Sequence, residues 1–285
     1  MRSLIGDVAS GNTMEDVVSA QFDYAKLDLP NNAVRLRLNS TVAVVRNEED
    51  GVGVVYLRRE ADADKQVRVR AKHCVMACYY RMMPAIAPQL PKTQQDAIIE
   101  NVKIPFLYTK VLIKNWQAFK DLGVHSFYCP TAPYAVVKLD YPVSMGEYDC
   151  PREPEQAMVI HMVRATAPYG TRGDVREMAQ LGRKLIYGTA YKTLEQEAIA
   201  QLNGLLSPVG VKVEPLIEAI TINRWAHGYS YEPKTLFDGT SDIETLKTQA
   251  RQPLGNIHIA NCDSGFSAYL QVAVDEAHRA VSEMS

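Results

Sequence analysis

The spacing of apolar and polar positions changes along the chain, and each change marks a new region. Val34–Leu38 alternates, Val42–Val45 is β-branched, and Val52–Leu57 and Val67–Arg70 flank a polar, charged connection. Such runs predict strands. With Cys74–Ala77 closing the series, they predict a small sheet of mostly antiparallel hairpins, in which Gly51 and Gly53 read as a hairpin turn. Residues 1 to about 30 are loop-rich, with a short helix at Thr13–Gln21 started by Thr13, Glu15 and Asp16.

Pro84, Pro88 and Pro91 mark a crossing point. Beyond them, Lys92–Asn101 reads as an amphipathic helix starting at Thr93. Tyr108–Lys114, Ala135–Leu139 and Ala157–Val163 read as strands of a second sheet, separated by proline-rich loops. Asp174–Tyr191 and Thr193–Leu205 predict two helices, the second with Thr193 and Gln196 spaced as a capping box. Thr221–Trp225 then returns the chain as a strand.

The closing segment PLGNIHIANCDSGFSAYLQVAVDEAHRAVSEMS holds a short strand at Asn256–Ala260 and the turn Asn261-Cys262-Asp263-Ser264-Gly265. From about Tyr269 the spacing of Ala273, Ala277, Ala280, Val281 and Met284 predicts one face of a helix. A strand that stops at such a turn and feeds a helix aims unpaired backbone N–H groups at an electron-rich ligand.

Composition narrows the class. At 285 residues the chain can form one large or two modest cores, and 47% hydrophobic with 22% charged residues describes an ordinary soluble globular protein. A net charge of -2 of mixed sign gives no electrostatic basis for a nucleic-acid partner. No apolar run approaches the ~18 residues of a transmembrane segment. The start MRSLIGDVASG lacks the apolar region of a signal peptide. The expectation is therefore a soluble protein, cytoplasmic as given, with a periplasmic location for an intact relative that carries a signal. The five cysteines show no metal spacing; Cys74 and Cys78 read as buried structural thiols, and no metal is expected.

The closing segment resembles the FAD-binding motif that ends proteins of the flavin amine oxidase superfamily. NRWAHGYSYEP at Asn223–Pro233, NSTVAVVR at Asn39–Arg46 and MEDVVSAQFDY near the start resemble its spermidine dehydrogenase-like branch. The similarity runs from Gly11 to Met284. It implies a mixed α/β fold, an FAD-binding Rossmann-like domain at residues 1–90 and 226–285 around a substrate domain at 91–225. The Rossmann-like domain is incomplete, because that family opens with a strand, a GxGxxG turn and a helix holding the FAD pyrophosphate, and no such run occurs in this sequence. The resemblance thus implies the C-terminal part of a flavoenzyme, missing an N-terminal half.

Site residues follow from the same resemblance. The N–H of Leu270, after Tyr269, matches the position facing the flavin pyrimidine carbonyl, where a helix N-terminus favours negative charge. Asp263 matches an acid accepting from ribityl or ribose hydroxyls, with Ser264 and Gly265 allowing close backbone approach. Val42 matches a backbone pairing with adenine, its own side chain being core. Trp225, Tyr229 and Tyr231 match the aromatic segment before the flavin, and the absence of a cysteine ahead of Tyr229 implies non-covalent FAD. Many amine oxidases place a lysine near flavin N5; here that point falls at Tyr108 or Thr109, and Lys110 is the nearest substitute. Asp140, Glu147 and Asp149 are the acids suited to a polyamine's distal ammonium, while His161 and His258 read as packed residues and His227, beside Gly228, is better placed than either.

Three functions remain open on these residues. The first is an FAD-dependent polyamine-type dehydrogenase or oxidase, moving hydride from the carbon next to nitrogen to flavin N5. The second is a cofactor-free remnant or a subunit that needs a separate N-terminal chain, with self-association as a further partner state. The third keeps FAD but takes a carotenoid-like C–H donor.

Overall fold

Burial alternates strictly over eleven residues of one strand. In strand β5, Lys103–Ile113, every odd-numbered residue is buried and every even-numbered one half-buried, the pattern of a strand whose two faces meet different surroundings. The computed structural model describes residues 2–166, 172–233, 238 and 242–284. By compactness the chain forms two units, Met1–Leu36 with Ile104–Gly228 and Arg37–Lys103 with Tyr229–Ser285.

The first unit is built on a five-stranded sheet in the order β6 (Ser126–Tyr128), β7 (Val136–Leu139), β8 (Met158–Ala165), β5 and β9 (Ile217–Ser230). β6, β7, β8 and β5 pair antiparallel. Val111, Ile113, Val137, Ile160 and Met162 point into one core with Phe119 and Tyr134. Helix Tyr191–Leu206 contributes Ala198, Leu202 and Leu206 at the four-residue spacing that keeps a helix stripe inward. Each buried leucine of this stripe is worth about 1.5–3 kcal/mol. Helix Val175–Gly188 starts on a capping box in which Asp174 and Glu177 satisfy each other's backbone. The predicted capping box at Thr193 is not formed: Ala190 precedes that helix, which begins at Tyr191 and makes no side-chain cap.

The N-terminal residues belong to this unit, whereas the sequence grouped residues 1–90 with 226–285. Ile5, Val8 and Leu27 make a small core of their own, and the Glu15 carboxylate accepts from the Gly146 N–H at 2.6 Å. Thr13 caps helix Met14–Ser19 through a reciprocal box with Asp16. Val34–Leu38, expected as a strand, is irregular. Leu36, within it, donates its N–H to the Leu27 carbonyl instead of to a ladder.

The second unit contains an antiparallel meander, β1 (Ser40–Glu48), β2 (Gly51–Arg59) and β3 (Asp64–Ala71). Gly51 has φ +139, and a Cβ there would strike the Ala71 carbonyl, so only glycine fits this hairpin start. Cys74–Met76, β4, does not close the meander. It pairs in parallel with β10, Ile257–Ile259, as a separate two-stranded sheet. The reason is burial: Met76, Ile257 and Ile259 join Tyr80, Met83, Ile98 and Phe266 in a second core. Helix Lys92–Glu100 follows Pro91 rather than a Thr93 cap. It is held by Gln94, whose amide donates to the carbonyls of Ala250 and Gln252.

Helix Leu270–Ser282 closes the described chain. Its predicted inward face is only partly correct. Ala280 is buried, but Ala277 and Val281 are exposed and Glu276 is buried in their place.

Candidate functional site

The turn after β10 is built on reciprocal bonds. Asn261 Oδ1 accepts from the Ser264 N–H at 2.8 Å, and Ser264 Oγ accepts from the Asn261 N–H at 3.3 Å. The single Ser264 hydroxyl proton is shared between the Asn261 carbonyl at 2.7 Å and the Glu276 carboxylate at 2.8 Å. Glu276 is in turn clamped by Arg251 and Arg279. Phe266 closes the turn in the left-handed region at φ +51 while its ring is buried, a conformation that costs about 1–3 kcal/mol for a bulky residue. Backbone strain of this kind survives only where packing over-determines it.

Asp263 sits inside this turn with its side chain 7% exposed. Its Oδ1 accepts from Lys103 Nζ at 2.5 Å and from Ser230 Oγ at 2.9 Å, while Asn101 Nδ2 donates to its backbone carbonyl. Ser230 Oγ also lies 3.1 Å from Asn101 Oδ1. Lys103, Ser230 and Asn101 were not singled out from sequence. Lys103 carries a legible signal, because it shares parity with Leu107, Val111 and Ile113 and a charge in phase with a core face demands a buried partner. Oδ2 of Asp263 takes no hydrogen bond from a described residue.

The other residues proposed from sequence are placed as follows. Tyr269 is the N-cap of the last helix and offers no side-chain bond to it, and Leu270 is 80% exposed. Ser264 is fully buried, and the space a Gly265 side chain would need is taken by Val272. Val42 is exposed rather than core: β1 is the edge of its sheet, and a bulge between Val42 and Val44 breaks the alternation that would turn the side chain inward. Tyr229 is half exposed. Tyr231 donates its N–H to Val102 and its hydroxyl to Asp238 at 2.8 Å; burial, then that carboxylate, push its phenol upward.

In the first unit Trp225 is exposed and lines a hollow of about 340 Å³ with Tyr191, Ile222, Asn223 and Arg224. Lys110 is paired with Asp140 at 2.6 Å. Burial alone would raise the Asp140 carboxyl, but the Lys110 and Tyr141 hydrogen bonds and the Lys110 charge outweigh it and hold the group low. Asp140 is therefore already neutralised, and Glu147 and Asp149 lie exposed. His161 is half-buried and His258 is buried, the latter between His73 and Glu283. Cys78 is exposed and Cys74 half-buried, because β4 ends at Met76 and Cys78 lies beyond the sheet. Among the described residues no cluster of metal-binding side chains occurs and no helix is long and apolar enough to cross a membrane.

No protein-family model matches the chain, and no curated protein sequence does. Solved structures do. A putrescine oxidase variant from a redesign of cofactor binding superposes with a TM-score of 0.61 at 16% identity, over 86% of this chain and 48% of that one. The wild-type putrescine oxidase bound to putrescine gives 0.58 at 16%, over the same shares. Cyclohexylamine oxidase from Brevibacterium oxydans gives 0.53 at 11%, over 85% and 47%. The fold is that of these amine oxidases. The chain spans about half the length of the structures it matches. At such identities the likeness is one of fold.

Proposed function

We propose that this chain is the part of an FAD-dependent amine oxidase or dehydrogenase that holds the adenine edge, the sugar hydroxyls and the flavin carbonyl. The observation that carries the reading is the shared fold with putrescine oxidase and cyclohexylamine oxidase. Local features fit the cofactor. Oδ2 of Asp263 can accept from a hydroxyl while Lys103 and Ser230 fix Oδ1. The last helix begins without a side-chain cap, so its first N–H groups can donate to a carbonyl. The edge position of β1 lets its backbone pair with a purine.

Bound FAD would supply the hydride acceptor for the carbon next to an amine nitrogen. Tyr229 and Tyr231 would then serve as walls that orient the amine and exclude water. A polyamine-type substrate remains the class proposed from the sequence resemblance, and spermidine dehydrogenase-like its branch.

Residues 1–285 contain no strand–glycine turn–helix for two phosphates. The reading therefore includes a further polypeptide segment, on the same or a separate chain, that supplies this cradle. Two surface features support it. The β4–β10 pair is a two-stranded parallel sheet, an arrangement that rarely stands without further strands. Leu270, Val274, Ala277 and Val281 form an exposed apolar stripe along the last helix. The experiment is co-expression with a strand–GxGxxG–helix segment, followed by anaerobic addition of putrescine. Bleaching of a co-purified flavin band supports the activity; a retained band that no amine bleaches removes amines as substrates.

A further inference from the structure

Three basic side chains stand abreast on the first unit's sheet. The register places Lys110 of β5 opposite His161 of β8, and His161 opposite Lys138 of β7. Directly paired residues share a face, with about 5 Å between neighbouring strands. This is the half-buried face, opposite the core that contains Val111, Ile160 and Val137.

Among the described residues one acid answers this row. Asp140 takes Lys110 at 2.6 Å. Lys138 meets no described carboxylate; it donates to Tyr141 Oη at 2.7 Å and lies 4.0 Å from the Tyr141 ring centroid. His161 Nδ1 is buried without a partner, and the Tyr108 ring centroid is 5.4 Å from that of His161. Burial first, then the charges of Lys110 and Lys138, keep the imidazole from taking a proton, with Asp140 acting the other way. Lys110 and Asp140 cancel, so the row carries one unanswered positive charge beside a ring that would gain a second if an anion arrived.

We propose that the Lys110–His161–Lys138 row binds a compact oxyanion, a carboxylate or a phosphate group, seated over His161 and held chiefly by Lys138. The anion accepts from the Lys138 ammonium and counters the Lys110 and Lys138 charges, which add to burial in holding His161 below its ordinary value, so binding favours a proton on the ring. A polyamine is repelled by the same charges. The inference stands on the first unit alone and does not require the flavin reading.

The test follows the imidazole carbon–proton NMR signals of the full chain, with His161 identified by the signal lost in His161→Gln. Inorganic phosphate and, separately, acetate are titrated in at constant ionic strength. The His161 signal should move along a saturating curve that the other five of the six histidines do not share, and its titration midpoint should rise with ligand present. Lys138→Met should weaken that binding at least roughly tenfold, and Lys138→Arg should preserve it. Saturation with acetate alone assigns a carboxylate, with phosphate alone a phosphate group, and with both the shared chemistry. Failure of both to saturate the wild-type signal overturns the site, whatever the variants do. Undiminished affinity in a folded Lys138→Met protein overturns it equally.

Discussion

Lys103 Nζ and Asp263 Oδ1 meet at 2.5 Å inside the second unit, with side chains 8% and 7% exposed. This pair joins the first residue of β5 to the turn that precedes the last helix. A buried pair gains little over a well-packed apolar replacement, but losing one partner strands the other charge. Lys103→Met should therefore destabilise the second unit by about 3–5 kcal/mol, and Asp263→Asn added to it should recover much of the loss. Urea unfolding of the wild type, both single variants and the double variant measures the coupling. Additive losses would show that the two charges do not depend on each other.

The same pair changes how Asp263 must be probed. Removing the carboxylate to test cofactor binding also leaves Lys103 unpaired in the interior. Ser230→Ala is the gentler probe, deleting one hydroxyl between Asn101 and Asp263. It should cost about 1–3 kcal/mol in urea unfolding; no change would mean that the hydroxyl contributes nothing to holding the turn.

Acidification should weaken the first unit in two stages. His161 is held below its ordinary value, by burial first and by Lys110 and Lys138 next. The unfolded chain then takes a proton that the folded one refuses, so stability falls as pH drops below about 6.5. Asp140 is held low by Lys110 and Tyr141 against its burial. Its contribution is present above about pH 3.9 and lost as pH falls through the lowered folded value. His161→Gln should flatten the dependence in the upper window and leave the lower one. An unchanged slope there would assign the effect to other groups.

Thiol labelling should follow exposure. Cys78 is exposed and should react first with an aromatic disulfide reagent, while Cys150 is buried and should react last. Peptide mapping of the labelled chain checks the order. A burst at Cys150 would contradict the packing around it.

Much of the fold was legible because it rests on local periodicity. The meander, helix Lys92–Glu100 and the strands at Val136–Leu139 and Met158–Ala165 lie within a few residues of where the pattern put them. What escaped depends on distant partners. The parallel pairing of β4 with β10 joins residues far apart in sequence, and no local spacing announces it. The inward face of the last helix was only partly legible, because Ala277 and Val281 suggest a core face that they do not make. Arg251, Arg279 and Ser264 instead draw Glu276 inward and leave Val281 outside. The Asp263 turn was found through its likeness to a known motif. Its Lys103 and Ser230 partners were missed because the spacing starts one strand only at Tyr108, after Lys103, and ends another at Trp225, before Ser230.

The apolar stripe on that helix has a consequence in solution. Without a covering segment, Leu270, Val274 and Val281 favour association. Val274→Glu with Val281→Glu should shift sedimentation toward the monomer without altering far-UV circular dichroism. An identical sedimentation profile would show that the stripe does not drive association.

The flavin reading is tested most directly by the visible absorption spectrum after mixing with FAD and desalting. On the proposed flavin reading, Asp263, the last helix N-terminus and the β1 edge would meet the cofactor, and residues 1–285 hold no glycine turn for the pyrophosphate. The chain alone should emerge colourless, and the chain with a strand–GxGxxG–helix segment should retain flavin at about one per protein. A stoichiometric flavin band on residues 1–285 alone would contradict the incomplete site. A colourless product with the segment present and both parts folded together would contradict FAD as the cofactor.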